Sequence, residues 1–356
     1  MSSLEYPFAE LPAPGTTLQV APGVHWLRMP LPFQLNHINL WILEDGEGEK
    51  KQEGEKQAGE KPGWTLVDTG IGDPATRELW EKLFTGFLKN RPVKRVIVTH
   101  YHPDHAGNAA WLCERFGVEL WMTQGEYLTA HAVRTSTAGY TSDAVLAVFE
   151  KNGLDHERRV AMAPRNNRYA ELVPDFPHAY RRLIGGDRVR IGAHDWRVII
   201  GHGHAPEHMS LHCEALNVLI AGDMLLSTIS TNVSVWSVDP EGDPLRLFLQ
   251  SIDRYRTLPP DVLVLPSHGR PFLGAHQRVG ELEAHHQARF DEVLNALKKE
   301  ALSAAELLTV MFRRPLDAHQ TFFAMGEAIA HLHYLYYAGR ASRTIGPDGV
   351  MRYATA

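Results

Sequence analysis

The sequence predicts an α/β fold with a smaller, mostly helical region at its C-terminal end. Through most of the chain, short runs of β-branched and aliphatic residues alternate with segments of helical periodicity, a pattern typical of sheets covered by helices. From about residue 276 these runs give way to three helical segments and one hairpin. We therefore expect two units, at residues 16–275 and 276–356.

Composition is typical of an ordinary globular protein. The 356 residues are 44% hydrophobic and 22% charged, with a formal net charge of −6, so a full core can form. No apolar run reaches the roughly 20 residues that span a bilayer, and the N-terminal residues lack the pattern of a signal peptide. Two cysteines do not make a disulfide framework. We expect a cytoplasmic location, no membrane partner and no general nucleic-acid binding, which needs a basic surface.

The first elements are short strands separated by turn residues. Residues 46–62 interrupt them with a charged, low-complexity insert, which predicts a flexible surface loop. The next strand ends in Asp68-Thr69-Gly70, and Asp73 before Pro74 predicts a helix start. A β-branched strand near residues 95–99 then leads into the segment that is richest in chemistry.

Residues 99–108 read Thr-His-Tyr-His-Pro-Asp-His-Ala-Gly-Asn. Imidazole nitrogens and carboxylate oxygens are ligands of zinc and related metals. The segment lies between a strand and a helix start, where a rigid sheet can aim several side chains at one point. The candidate ligands are His100, His102, Asp104 and His105. The pattern predicts a metal site.

Three later strand-like runs also end near a candidate ligand. The pairs of run and ligand are 196–200 with His204, 217–222 with Asp223, and 261–266 with His268. Histidines scattered without function would not favour strand ends, so the repetition supports the metal site. Between the first ligands and these, residues 121–195 predict a helical lid or pocket wall, with arginines and tyrosines that could meet an anionic substrate.

These residues resemble the motifs of the metallo-β-lactamase superfamily. The His-x-His-x-Asp-His segment is followed by Gly203-His204, Gly222-Asp223 and Ser267-His268-Gly269, and preceded by Asp68-Thr69-Gly70, in the family's order. The resemblance covers roughly residues 16–275. It implies an αββα sandwich, in which two mixed sheets pack face to face with helices outside, and a metal site at one edge.

The resemblance further implies a binuclear site. The implied ligands are His100, His102 and His204 for the first metal, Asp104, His105 and His268 for the second, and Asp223 as a bridge between them. Asp68 would accept a hydrogen bond from a ligand imidazole and fix its orientation. Asp104 and Asp68 are thus the expected catalytic residues, whereas His202 and His208 are expected to be structural.

The ligand set predicts the chemistry. Two divalent metal ions are expected, with Zn²⁺ the preferred metal for mixed imidazole and carboxylate ligands and Fe or Mn as alternatives. Two metals at roughly 3.5–4 Å can share a water and bring its pKa near 7. The hydroxide so formed attacks a carbonyl or phosphoryl centre, which predicts a metal-dependent hydrolase.

The C-terminal region, 276–356, resembles the winged-helix tail of a lactamase-like hydrolase subgroup that includes some nucleases. Residues 278–356 contain nine Lys/Arg and nine Asp/Glu, whereas phosphate binding needs a basic excess. We therefore expect this tail to pack on the catalytic domain or to form a homodimer interface.

The favoured function is hydrolysis of a small, anionic acyl substrate, such as a thioester, lactone or ester. The reason is that the His-x-His-x-Asp-His segment resembles the one in glyoxalase II. A phosphodiesterase or endoribonuclease is one alternative. The resemblance of the C-terminal tail to a subgroup that includes nucleases supports it, and the absence of a basic excess in that tail weakens it. A mononuclear-iron persulfide dioxygenase and a non-catalytic metabolite sensor are the others.

Overall fold

The computed structural model describes residues 4–46, 61–89, 91–162 and 168–356. Within these ranges two sheets pack face to face, and helices cover their outer surfaces. The predicted αββα architecture is confirmed. Most of the predicted charged insert, residues 47–60, lies outside the described residues.

The first sheet has seven strands among the described residues, in the order β1-β2-β3-β4-β5-β6-β7. Their bounds are β1 Thr17–Ala21, β2 Val24–Pro30, β3 His37–Asp45, β4 Gly63–Val67, β5 Val93–Ile97, β6 Leu120–Met122 and β7 Tyr180–Arg182. Strands β1 to β4 are antiparallel to their neighbours, and β4 to β7 are parallel. The carboxyl ends of β4 and β5 therefore lie at the same edge.

The second sheet has the order β12-β11-β10-β9-β8. Its strands are β8 Arg188–Ile191, β9 His194–Gly201, β10 His208–Cys213, β11 Val218–Gly222 and β12 Leu263–Pro266. Strands β8 and β9 form a hairpin. Strands β11 and β12 run parallel, so the turns that follow them also share one edge.

Helices occupy both outer faces of the sandwich. Their bounds are α1 Pro74–Thr85, α2 Pro103–Ala106, α3 Ala109–Phe116, α4 Gln124–Arg134, α5 Ser142–Lys151, α6 His156–Met162, α7 Arg168–Leu172, α8 Pro244–Asp253, α9 Ala275–Leu297, α10 Ala304–Met311 and α11 Ala318–Tyr337. Helix α1 begins after Asp73, whose side chain accepts the N–H of Thr76, as the helix-start pattern predicts.

Three apolar layers hold the elements together. Trp26, Trp41 and Trp196 are buried between the two sheets. A second layer lies between the first sheet and its helices, and a third joins the second sheet to α8 through α11. No helix in the described ranges is both long and apolar enough to cross a membrane.

The C-terminal region has three helices, α9 to α11, followed by the hairpin of β13 Ala341–Ile345 and β14 Met351–Thr355. This is the order of elements that the sequence predicts. Helix α10 begins with a capping box at Ser303. Its identification as a winged helix and the boundary at 275/276 remain predictions. The intervening region predicted as a lid, 121–195, contains helices α4 to α7 in its described part.

Candidate metal centre

The ligand-bearing turns meet at one edge of the sandwich. On the first sheet, β4 ends just before Asp68 and β5 just before the 99–108 segment. On the second sheet, β11 ends just before Asp223 and β12 just before Ser267 and His268. Because each turn follows a buried strand, the sheets themselves set where these side chains lie.

The first ligand group combines His100, His102, His204 and Asp223. Nε2 of His100 lies 3.0 Å from Nδ1 of His102 and 3.2 Å from Nε2 of His204. Oδ2 of Asp223 lies 3.4 Å from Nε2 of His204. Three imidazoles and one carboxylate oxygen thus converge from the loops of both sheets.

The second group combines Asp104, His105 and His268. Nε2 of His268 lies 3.4 Å from Oδ2 of Asp104, and Nε2 of His105 lies 3.7 Å from the same oxygen. Oδ1 of Asp223 is 3.5 Å from the Nε2 atoms of both histidines. The two oxygens of Asp223 therefore face different ligand groups.

The spacing of these atoms fits metal ions. Ligand atoms around a tetrahedral zinc, with bonds of about 2.0–2.1 Å, lie about 3.3 Å from one another. Nε2 of His105 and Oδ1 of Asp223 are buried without a hydrogen-bond partner among the described residues, and such orphaned atoms cost free energy unless a ligand satisfies them. The donor set suits small divalent cations.

Burial and mutual charge determine the protonation of the cluster. Burial holds the pKa of His100 well below its usual value and lowers that of His102 to about 3, so both rings are neutral and can donate a lone pair. Burial also opposes protonation of His105, but the carboxylates, Asp68 first, outweigh it and raise its pKa. Despite burial, His105 and His268 lower the pKa of Asp104 to about 2. Asp104 is therefore ionised at neutral pH.

Asp68 lies behind the second group. Its Oδ2 is 2.8 Å from Nδ1 of His105, which leaves Nε2 of that ring directed at the cluster. The hydroxyl of Thr99 lies within 3.0 Å of both carboxylate oxygens and 3.1 Å from Nδ1 of His100. Asp68 and Thr99 thus orient two ligand rings.

Comparison with known proteins identifies the family. Residues 60–268 match the sequence profile described as the Metallo-beta-lactamase superfamily. The chain belongs to this superfamily. Residues 290–356 match a second profile, described as a metallo-beta-lactamase-like C-terminal domain. Both the predicted family and the αββα fold are thereby confirmed.

Several metallo-beta-lactamase superfamily relatives cover most of the chain. A solved structure of a beta-lactamase domain protein from Burkholderia ambifaria is 50% identical, covers 99% of this chain and 98% of that chain, and superposes with a TM-score of 0.89. The probable metallo-hydrolase YqjP of Bacillus subtilis is 23% identical over 316 residues, which are 87% of this chain and 91% of the relative. A hydroxyacylglutathione hydrolase of Cereibacter sphaeroides is 25% identical over 203 residues, or 57% and 56% of the two chains. This chain is accordingly a metal-dependent hydrolase of the superfamily, as the sequence predicts.

Three further groups support the candidate ligands of this superfamily member. The carbonyl of Asn232 accepts from Nδ1 of His204, and the carbonyl of His37 accepts from Nδ1 of His268, each at 2.8 Å. Nε2 of the buried His208 accepts the N–H of Asp223 at 3.0 Å. Two of these contributions come from backbone atoms, which carry no residue-type signature.

His202 and His208, the histidines on either side of His204, have different surroundings. His202, predicted to be structural, contacts the carbonyl of Pro206 and belongs to neither ligand group. His208, predicted to be structural as well, lies against the ring of His100 and holds the backbone of Asp223. It acts as a support of the superfamily's metal centre.

Proposed function

We propose that the protein is a binuclear metal-dependent hydrolase of a small acyl substrate, such as a thioester, lactone or ester. The observation that carries the proposal is Asp223, whose two oxygens face two separate ligand groups. Two divalent ions held there would supply an activated water and polarise the carbonyl of the substrate. The expected metal is Zn²⁺, with Fe or Mn as alternatives.

The chain's own residues determine how the substrate approaches. The other five ligands are buried, whereas His102 and Asp104 are only partly buried. The accessible side of the cluster is therefore the side of His102 and Asp104. On the opposite side, Asp68 and Thr99 hold the ligand rings, so the reacting group meets a rigid array.

The choice of an acyl substrate rests on similarity and charge. A hydroxyacylglutathione hydrolase is among the relatives, which favours a thioester. The equal numbers of basic and acidic residues in 278–356 do not provide the basic surface that a nucleic acid requires. A small substrate agrees with both observations.

The test pairs metal analysis with two substrates. We expect about two metal ions per chain in purified protein, and turnover of an S-acyl thioester that exceeds turnover of bis(4-nitrophenyl) phosphate. Asp223→Asn should reduce metal content and abolish turnover, whereas Asp261→Asn, at an exposed position before β12, should do neither. Turnover of the phosphodiester alone contradicts the acyl substrate. One iron per chain without hydrolysis contradicts the binuclear hydrolase altogether.

A further inference from the structure

Two arginines lie beside the candidate metal centre, on the side of His268. Arg28 is on β2, in register with Asn39 on β3. The side chain of Asn39 donates to the carbonyls of Pro266 and Gly269, at 2.8 and 3.0 Å. This contact ties the strand of Arg28 to the turn that carries His268, and Arg270 follows in the same turn.

Neither arginine has an acidic partner in the part of the chain that the structure describes. Nε of Arg28 is buried and lacks a hydrogen-bond partner there. Nη2 of Arg270 donates to the carbonyl of Ala9 at 2.7 Å. Burial and then the positive charge of Arg270 lower the pKa of Arg28, although a guanidinium stays charged in proteins. A half-buried cation beside a second cation is unfavourable unless an anion joins them.

His37 connects the pair to the metal centre. Its Nε2 accepts the N–H of Gly269 at 3.0 Å, and its ring lies edge-on to that of His268, with the centroids 6.2 Å apart. The carbonyl of His37 also accepts from Nδ1 of His268 at 2.8 Å. The segment that follows the strand of Arg28 therefore contacts a candidate metal ligand.

We propose that Arg28 and Arg270 form a subsite for an oxyanion, a carboxylate or phosphoryl group, carried by the substrate at a distance from the reacting carbonyl. Planar guanidinium groups match the geometry of such oxygens. The inference rests on the proposed function and narrows its substrates to acyl compounds with a distal negative charge.

The sequence instead predicts that arginines within residues 121–195 could meet an anionic substrate. In the structure two of these arginines have other partners. Arg134 donates to the carbonyl of Pro174 and pairs with Asp175, and Arg181 stacks on Trp121. Arg28 and Arg270, on the first and last segments of the catalytic region, have no acidic partner among the described residues.

The first experiment compares thioesters of N-acetylcysteamine that differ in a terminal charge. Succinyl, glutaryl and adipyl thioesters are paired with butyryl, valeryl and hexanoyl thioesters. We expect wild type to prefer the best charged member over its neutral partner in kcat/KM by about tenfold or more, since hydrogen bonds to charged groups have that magnitude. Arg28→Gln should abolish the preference by lowering kcat/KM for the charged substrates, and Arg28→Lys should restore part of it.

The matched control is Arg182→Gln, an exposed arginine on β7 at the far edge of the same sheet. It should keep the full preference. Metal content and Tm of all variants are measured, so that a folding defect is recognised. A preference that survives in Arg28→Gln overturns the subsite, as does equal turnover of charged and neutral members by wild type.

The second experiment does not depend on turnover. Calorimetry measures binding of glutarate and of inorganic phosphate to the metal-loaded protein. We expect Arg28→Gln to bind glutarate, phosphate or both about tenfold more weakly than the wild-type protein does. Arg182→Gln should bind both ions as the wild-type protein does. A loss confined to glutarate indicates a carboxylate, and a loss confined to phosphate indicates a phosphoryl group. Equal affinity of wild type and Arg28→Gln for both ions overturns the proposal.

The two experiments separate the two proposals. Anion binding that depends on Arg28, without hydrolysis of any thioester, leaves the subsite in place and contradicts the acyl hydrolase. Thioester turnover that does not depend on Arg28 supports the acyl hydrolase and contradicts the subsite.

Discussion

Asp68 shows how much of the metal centre depends on a single backbone conformation. Its φ of +63° lies in the left-handed region, which few residues with a side chain adopt. This conformation follows β4 directly and lets one carboxylate accept the N–H of Thr99 at 2.7 Å and face His105 at 2.8 Å. Such strain persists where the surrounding contacts determine it, and it is typical of functional sites.

Replacing Asp68 with Asn tests this support. The amide keeps the shape of the side chain, but an amide nitrogen cannot accept a hydrogen bond from Nδ1 of His105. We expect metal affinity to fall about 10- to 100-fold, the usual effect of losing such an outer partner. Competition with a chromogenic chelator measures the affinity, and Asp261→Asn is the control. An unchanged affinity would show that Asp68 has no part in holding the ligand ring.

At the scale of elements, helix α11 contacts the loop at residues 231–236, and this loop contacts a candidate ligand of the metal centre. The N–H of Val235 donates to the carbonyl of Gly326 on this helix. Ser234, which lies against Gly326, donates to the side chain of Asn232, and the carbonyl of Asn232 accepts from His204. The C-terminal region therefore supports a ligand of the catalytic region.

Gly326→Ala tests this connection. An added Cβ would lie 2.7 Å from Ser234, so the loop must move, and we expect metal affinity to fall by about tenfold or more. Gly280→Ala on α9 is the matched control because its Cβ would meet only the end of Arg256, at 3.7 Å. The control should keep metal affinity and gain up to about 1 kcal/mol of stability from helix propensity. Equal metal affinity of the two variants would refute the connection.

Helices α9 and α11 also enclose a neutral histidine pair. Burial, followed by His331, lowers the pKa of His286 to about 3, and burial lowers that of His331 to about 4. His285 and Arg289 face the pair and oppose its protonation. Burial raises the pKa of the nearby Glu327 to about 7, which has the opposite effect on stability. Each histidine favours unfolding as the pH falls below about 6.5, because the unfolded chain binds its proton first.

His286→Leu isolates one of these titrations. Glu327 and His331 remain in both proteins, so their direct contributions largely cancel in the difference. On lowering the pH from 7.5 to 5, the free energy of unfolding of wild type should fall by about 2 kcal/mol more than that of the variant, or 1.5 pH units at about 1.4 kcal/mol each. Urea unfolding of metal-free protein at both pH values measures this. Parallel losses in the two proteins would show that His286 is not held neutral by the fold.

At the scale of the whole molecule, the sequence predicts best those features that depend on the type of side chain. The candidate ligands are recognisable because histidine and aspartate recur at the ends of apolar runs, and the sandwich follows from family resemblance. The supports at Asn232 and His37 act through carbonyl groups, which every residue has. Arg28 and Arg270 are far apart in sequence, and their segments come together through the pairing of β2 with β3 and the contact of Asn39 with Gly269. Their relation depends on tertiary structure, which local patterns do not contain.

The division of the ligands between the two sheets has a consequence for the rate of metal release. His100, His102, Asp104 and His105 follow a strand of the first sheet, whereas His204, Asp223 and His268 follow strands of the second. Bound ions would join the sheets, so a motion that separates the sheets at this edge would break bonds to the ions. Release by that motion predicts that stopped-flow stripping reaches a plateau at high chelator concentration, set by the opening rate. A stripping rate that rises without limit would indicate an exit that leaves the sheets together.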